Sequence, residues 1–196
     1  KLIAGVISPS DGTVRINGEV VKLSAPKDAS ERGISMVYQE TSLVPQLTVA
    51  QNMVLGREKT FNSVRKVRNA ARQVLQRLNF KVDPSQLAGS LSTAKRQMVE
   101  IARAVLNQAK VIIFDEPTAA LTPEETDHLF DLMKTLQAEG VAMIFISHAL
   151  EEALNHSDRI SVLRNGKLVV TGNADEFDRG SLIHHMIGEE LNEKMH

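Results

Sequence analysis

The 196-residue chain contains no cysteine, which excludes disulfides and thiolate metal sites and agrees with a reducing compartment. No apolar run approaches the roughly 18 residues needed to cross a bilayer, and the N-terminus carries no signal-peptide pattern. Nor is there a surplus of positive charge. The formal net charge of −1 gives no overall case for a nucleic-acid binder. The local exception runs from Arg57 to Lys81, where eight bases face the single acid Glu58. That stretch reads either as a solvated helix face or as a surface for a partner or a membrane. What remains is an ordinary apolar fraction of 42%, enough to bury a core as one domain with a smaller appendage.

The chain is organised around Val111-Ile112-Ile113-Phe114-Asp115-Glu116-Pro117. Four consecutive large apolar residues without alternation predict a strand covered on both faces, as in a parallel sheet flanked by helices. Such sheets bind ligands at the carboxyl ends of their strands. Asp115 and Glu116 stand there, and Pro117 blocks continuation of the ladder. Two adjacent carboxylates at the mouth of an apolar strand are costly unless something uses them. A hydrated Mg²⁺ would: Asp115 could hold the ion while Glu116, on the other face of the strand, orients and deprotonates an attacking water. The plainer alternative is a strand end capped by solvated acids.

Upstream, Lys1 to Gly5 looks like the last turn of a helix with Gly5 as its cap. Thr13-Val14-Arg15-Ile16, Asn17-Gly18 and Val20-Val21-Lys22-Leu23 predict a hairpin. Ala25 to Arg32 predicts one or two helical turns closed by Gly33, and Ile34 to Tyr38 a strand that delivers Gln39 into a loop. A neutral amide there could bind a metal or its water and swing away, or could be merely exposed. Thr48 to Leu55 and Val64 to Asn79 predict helices. With no strand signal between Gln39 and Lys110, this region is expected to be a helical insertion. Ser92 is a natural N-cap for a helix with Met98, Ile101, Ala102, Val105 and Leu106 inward, and its N-terminus is a potential anion site.

Downstream, Thr122-Pro123-Glu124-Glu125 is a capping box with proline at the first helical position. The helix it opens should end at Gly140. Val141 to Ile146 predicts a second continuous apolar strand ending in Ser147-His148. Strand, helix and strand in that order imply a right-handed parallel crossover, so His148 is expected at the same edge as Asp115 and Glu116. His128, His156, His184 and His185 lack such placement and read as surface residues. Ala149 to Asn155 predicts a short helix, the segments around Asn165-Gly166 a second hairpin, and Ala174 to Ile187 a helical tail.

Taken together, Gln39 after a strand, Leu-Ser-x-x-x-x-Gln from Leu91 to Gln97, Phe-Asp-Glu-Pro-Thr from Phe114 and Ile-Ser-His ending at His148 resemble the nucleotide-binding domain of ABC transporters. The resemblance covers nearly the whole chain. It implies an α/β fold: a P-loop NTPase-like ABC ATPase core with a parallel sheet, antiparallel β hairpins and an inserted helical subdomain, here without its N-terminal strands and P-loop. Residues 40–108 would be that subdomain, 109–172 the catalytic core strands and 173–196 a helical tail.

The resemblance also implies ATP and Mg²⁺. Gln39 would touch Mg²⁺ or water, Asp115 would hold the ion, Glu116 would be the catalytic base and His148 the switch histidine on the γ-phosphate. Leu91, Ser92, Thr93, Ala94, Lys95 and Gln97 would form the signature that meets ATP held by an opposite cassette. Implied partners are a second ABC cassette, transmembrane permease subunits and, indirectly, a periplasmic sugar-binding protein, with no nucleic acid. The implied location is cytoplasmic, peripheral at the inner face of the cell membrane.

The run Leu-Ser-Thr-Ala-Lys-Arg-Gln-Met-Val-Glu-Ile-Ala-Arg-Ala is similar to the first cassette of ribose- and galactose-type monosaccharide importers. Thr93 and Ala94 replace the two glycines usual after the signature serine, and side chains there limit how closely a phosphate approaches the backbone. Thr122 replaces the usual D-loop aspartate. The phosphate-cradling pattern G-x-x-x-x-G-K-[ST] is absent: the only Gly-Lys pair, Gly166-Lys167, is followed by Leu168. The simplest expectation is a fragment beginning just after that loop, inactive by itself. Two other classes stay open: a non-transport ABC ATPase of translation or DNA repair, and a pseudo-cassette that binds partners without catalysis.

Overall fold

In the computed structural model, which describes residues 1–38, 42–56 and 63–188, the first residues close like a helix C-terminus. Gly5 N donates to the Leu2 carbonyl and Val6 N to the Lys1 carbonyl, each at 3.0 Å. Gly5 takes φ +69°, the left-handed conformation this double closure needs. Strands β1 (Val14–Ile16) and β2 (Glu19–Val21) pair antiparallel across Asn17 and Gly18, both at positive φ as a two-residue I′ turn demands. The short helix α1 (Pro26–Glu31) follows, with Asp28 accepting from the Ser24 and Ala25 amides.

Strand β3 (Ile34–Val37) then leads into three helices, α2 (Val49–Val54), α3 (Val64–Arg77) and α4 (Thr93–Leu106). Each opens on a hydroxyl cap, Thr48, Ser63 and Ser92 respectively, that satisfies an otherwise orphaned amide. Only after this insertion does the chain return to the sheet with β4 (Val111–Asp115), α5 (Pro123–Ala138) and β5 (Ala142–Ile146). Strands β3, β4 and β5 are parallel and lie in that order, with Ile34 opposite Val111 and Asp115 opposite Ile146. Thr122 and Glu125 cap α5 reciprocally, as the capping box predicts.

The central strand is covered on both faces. Ile112 and Phe114 enter one core with Val99, Ile101, Ala102, Leu129 and Leu136, while Ile113 enters another with Leu23, Ala29 and Ile34. Complete burial of a side chain such as Phe114 stabilises by about 1.5–3 kcal/mol. Strand β5 differs from the expected continuous burial: Met143 and Phe145 are half-buried, but Ala142, Ile144 and Ile146 are exposed. β5, the last strand in the order, packs only that half-buried face, with Phe145 edge-on to Phe130 at 5.6 Å. Helix α4 is buried on more than the expected stripe. Val99, Glu100 and Ala104 are fully covered, whereas Met98, Val105 and Leu106 are only half-buried.

Residues Lys1–Ile146 form one unit and Ser147–His196 a second. In the second, α6 (Leu150–His156) precedes β6 (Arg159–Arg164) and β7 (Lys167–Asn173), an antiparallel pair of its own joined by Asn165 and Gly166 at positive φ. Ile160 and Val162 pack on Leu182 of α7 (Arg179–Ile187). The tail is not the single helix expected from Ala174. A 3-10 turn at Ala174–Glu176 ends first, and Asp178 starts α7 by accepting from the Ser181 amide at 2.6 Å. That capping carboxylate, favoured in extended backbone, is what interrupts the helix. Among the described residues no helix is long and apolar enough to cross a membrane.

Candidate functional site at the carboxyl end of β4

Asp115 is the last residue of β4, half-exposed and opposite Ile146. Glu116 adds one further link by donating its amide to the Ile146 carbonyl at 2.9 Å. Its backbone, however, turns to φ +48°, a conformation that costs a non-glycine residue of order 1 kcal/mol and collects at functional sites. Strand alternation therefore stops at Asp115, and the direction of Glu116 is set by this turn rather than by the pleat. Pro117 is buried immediately beyond. Its carbonyl accepts a hydrogen bond at 2.6 Å from the buried Gln97 amide on α4.

That bond divides the predicted signature residues by direction. Leu91, Ala94 and Gln97 are buried, and Ser92, Thr93 and Lys95 are exposed. Ser92 Oγ accepts from the Lys95 amide at 3.4 Å, capping the helix, and Thr93 Oγ1 accepts from Arg96 at 3.3 Å. The exposed trio presents a helix N-terminus and hydroxyls, a combination suited to an anion. Gln97 is engaged internally, where it braces the turn that carries Glu116.

Gln39, with both its nucleotide and metal roles, lies outside the described residues. His148 is exposed in the second unit, two residues after β5 in sequence. There Ser147 Oγ accepts from the Ala149 amide and donates to Glu152, both at 2.9 Å, which sets the turn into α6. His128, expected at the surface, is instead half-buried with Phe80 edge-on at 5.9 Å. Among the described residues no three His, Cys, Asp or Glu side chains gather as a metal site. Asp115 fits a Mg²⁺ ion of the kind held by one or two carboxylates and completed by substrate phosphates.

Motif matching passed over Glu100 and Ser42. Glu100 is 1% exposed on α4, and Ser42 N and Oγ reach it at 2.6 and 2.8 Å. The signal for Glu100 was its place three residues after Gln97, on the buried side of the same helix.

This parallel sheet with its helical insertion and acidic strand end is the architecture of an ATP-binding cassette. The ABC transporter family model matches residues 1–119, and the chain belongs to the ABC transporter family. It is 41% identical over 199 residues to a ribose import ATP-binding protein of Geobacillus kaustophilus, covering 99% of this chain and 40% of that protein. Against a ribose import ATP-binding protein of Rubrobacter xylanophilus the identity is 43% over 197 residues, with 99% and 39% covered. It superposes on the crystal structure of an ABC transporter's ATP-binding cassette in its ADP conformation with a TM-score of 0.79 and 25% identity, over 96% of this chain and 81% of that one. The chain spans about two fifths of the length of the curated relatives it matches.

Proposed function

We propose that this chain is part of the ATP-binding subunit of an importer that couples ATP hydrolysis to uptake of a monosaccharide. The observation that carries the reading is the carboxyl end of β4, where Asp115 and the left-handed Glu116 are braced by Gln97 from the helix that Ser92 heads. Two relatives near 40% identity named for ribose import support the substrate class. Residues 40–108 serve as the helical subdomain, 109–172 as core strands and 173–196 as the tail.

In this mechanism Glu116 positions water and takes its proton, since a carboxylate fixed at a strand end is a general base when it reaches the attacking water. Ser92, Thr93 and the amides at the head of α4 bind the terminal phosphate of ATP held by a second cassette. Mg²⁺, when bound, neutralises charge that develops on the phosphates, and Asp115, with Gln39, is assigned to hold it. His148 is assigned to the γ-phosphate on the strength of the family resemblance. The partners are the second cassette, permease subunits at the inner face of the cell membrane and, through them, a sugar-binding protein.

The 196 residues contain no G-x-x-x-x-G-K-[ST] segment, the pattern whose amides and lysine hold β- and γ-phosphates. We infer that this chain by itself neither binds ATP tightly nor hydrolyses it. Micromolar affinity for ATP in the purified 196-residue chain contradicts that inference. The decisive experiment is Glu116→Gln in the intact protein: loss of a general base should lower ATPase by about 10²-fold or more, with sugar uptake falling alongside. Unchanged ATPase and uptake overturn the proposal.

A further inference from the structure

We infer that Glu100 is a positioning residue, a clamp that fixes the segment beginning at Ser42 onto the helix headed by Ser92, so that displacement of either is transmitted to the other. The inference rests on the roles proposed above for Gln39 and Ser92. Its geometry does not.

Ser42 lies three residues beyond Gln39 in the chain. Its amide donates to Glu100 Oε1 at 2.6 Å, and its hydroxyl donates to the same oxygen at 2.8 Å. Arg103, one turn further along α4, donates to Ser42 Oγ at 2.7 Å and lies 3.5 Å from Glu100 Oε1. Three donors, the Ser42 amide, the Ser42 hydroxyl and Arg103, thus converge on Glu100 Oε1, and hydrogen bonds to a charged group are the strong ones. The segment just downstream is pinned independently. Asn52, fully buried on α2, accepts from the Val44 amide at 2.8 Å and donates to the Val44, Leu47 and Thr48 carbonyls. Residues 42–48 are therefore held by α4 at one end and α2 at the other.

Packing alone does not account for Glu100. It is 1% exposed, and its second oxygen, Oε2, is buried with no partner among the described residues. A buried carboxylate with an unmet oxygen is less stable than an apolar side chain of similar size. What the carboxylate gives in return is specification: it is the acceptor that fixes where Ser42 sits. Because Ser92 and Glu100 flank the same helical segment, a shift of α4 on meeting a phosphate reaches Ser42 through one rigid element and two short bonds.

The test uses the intact protein with Glu100→Ala, Glu100→Gln and Ser42→Ala. Exchange of the Ser42 amide with deuterium is followed together with kcat and KM for ATP. We expect Glu100→Ala to speed Ser42 amide exchange and to lower kcat about 10-fold, with KM held within about 3-fold. Glu100→Gln, which keeps an acceptor for Ser42, should restore both to within about 3-fold of wild type. Ser42→Ala, which keeps the amide bond but breaks the link to Arg103, should fall between and provides the reading if Glu100→Ala does not fold.

Faster exchange with unchanged kcat, or Glu100→Gln no better than Glu100→Ala, overturns the inference. Absence of ATPase in the wild-type protein instead ends the importer reading. The exchange data alone then decide the clamp, and an unchanged Ser42 rate refutes it.

Discussion

Gln97 donates its side-chain amide to the Pro117 carbonyl across 2.6 Å, joining α4 to the turn that follows β4. Both residues are buried, so the carbonyl has no water to take the donor's place. Gln97→Met keeps the volume and removes the donor. It should destabilise by about 1–3 kcal/mol, the cost of an unsatisfied buried carbonyl, read as a lower urea midpoint at unchanged m-value. A midpoint equal to wild type would show that the brace contributes nothing.

Glu116 at φ +48° gives a second expectation. Glutamine has a similar shape, so Glu116→Gln should unfold at the same denaturant concentration as wild type. Glu116→Val, β-branched and disfavoured at positive φ, should be less stable than Glu116→Gln by about 1 kcal/mol. Equal stability of the two variants in urea would mean that this backbone carries no steric cost.

Gly5 at φ +69° closes the first turn, and a Cβ there would collide with the Ala25 carbonyl. Gly5→Ala combines a disfavoured backbone with a clash against main-chain atoms that cannot swing aside. The loss should exceed about 1 kcal/mol, measured by thermal or urea unfolding. Gly12→Ala is the control: Gly12 also has positive φ, +82°, but open space around its Cβ position, and it should lose less.

Asp178 caps α7, and hydrogen bonds first from the Ser181 amide and then from its hydroxyl hold this carboxyl below its ordinary pKa. A depressed folded-state value means that the ionised form is favoured by folding. Its contribution is complete above the ordinary carboxylate value and is lost as pH falls through the lowered one. Asp178→Asn keeps the cap acceptor but not the titration. Its unfolding should therefore depend less on pH than wild type between about pH 5 and about pH 2. Parallel pH profiles for the two proteins would remove Asp178 from the acid response.

The elements that could be read from the sequence are those governed by local rules. The uninterrupted run before Asp115 identified the central strand, Asn17-Gly18 and Asn165-Gly166 identified the hairpins, and Thr122 to Glu125 marked the start of α5. What could not be read depended on atoms distant in the chain. The left-handed turn at Glu116 goes with its link to Ile146, thirty residues away in the chain, a contact that has no local signature. Gln97 matched a motif whose outward and inward members look alike in letters, and only the helix's burial separates them. The exposed face of β5 depends on what packs over it rather than on its own residues, which an apolar run does not disclose.

The pairing of Ile34 with Val111 joins positions about 77 residues apart, a closure whose chain entropy alone costs about 4 kcal/mol. Strand β3 is made long before its neighbour exists. At roughly 5–20 residues per second of synthesis, it waits about 4–15 seconds on the ribosome with its hydrogen-bonding edge unmatched. During that interval the helices between the two strands can assemble from short-range contacts. Their early formation draws the distant ends together and shortens the search the sheet must make.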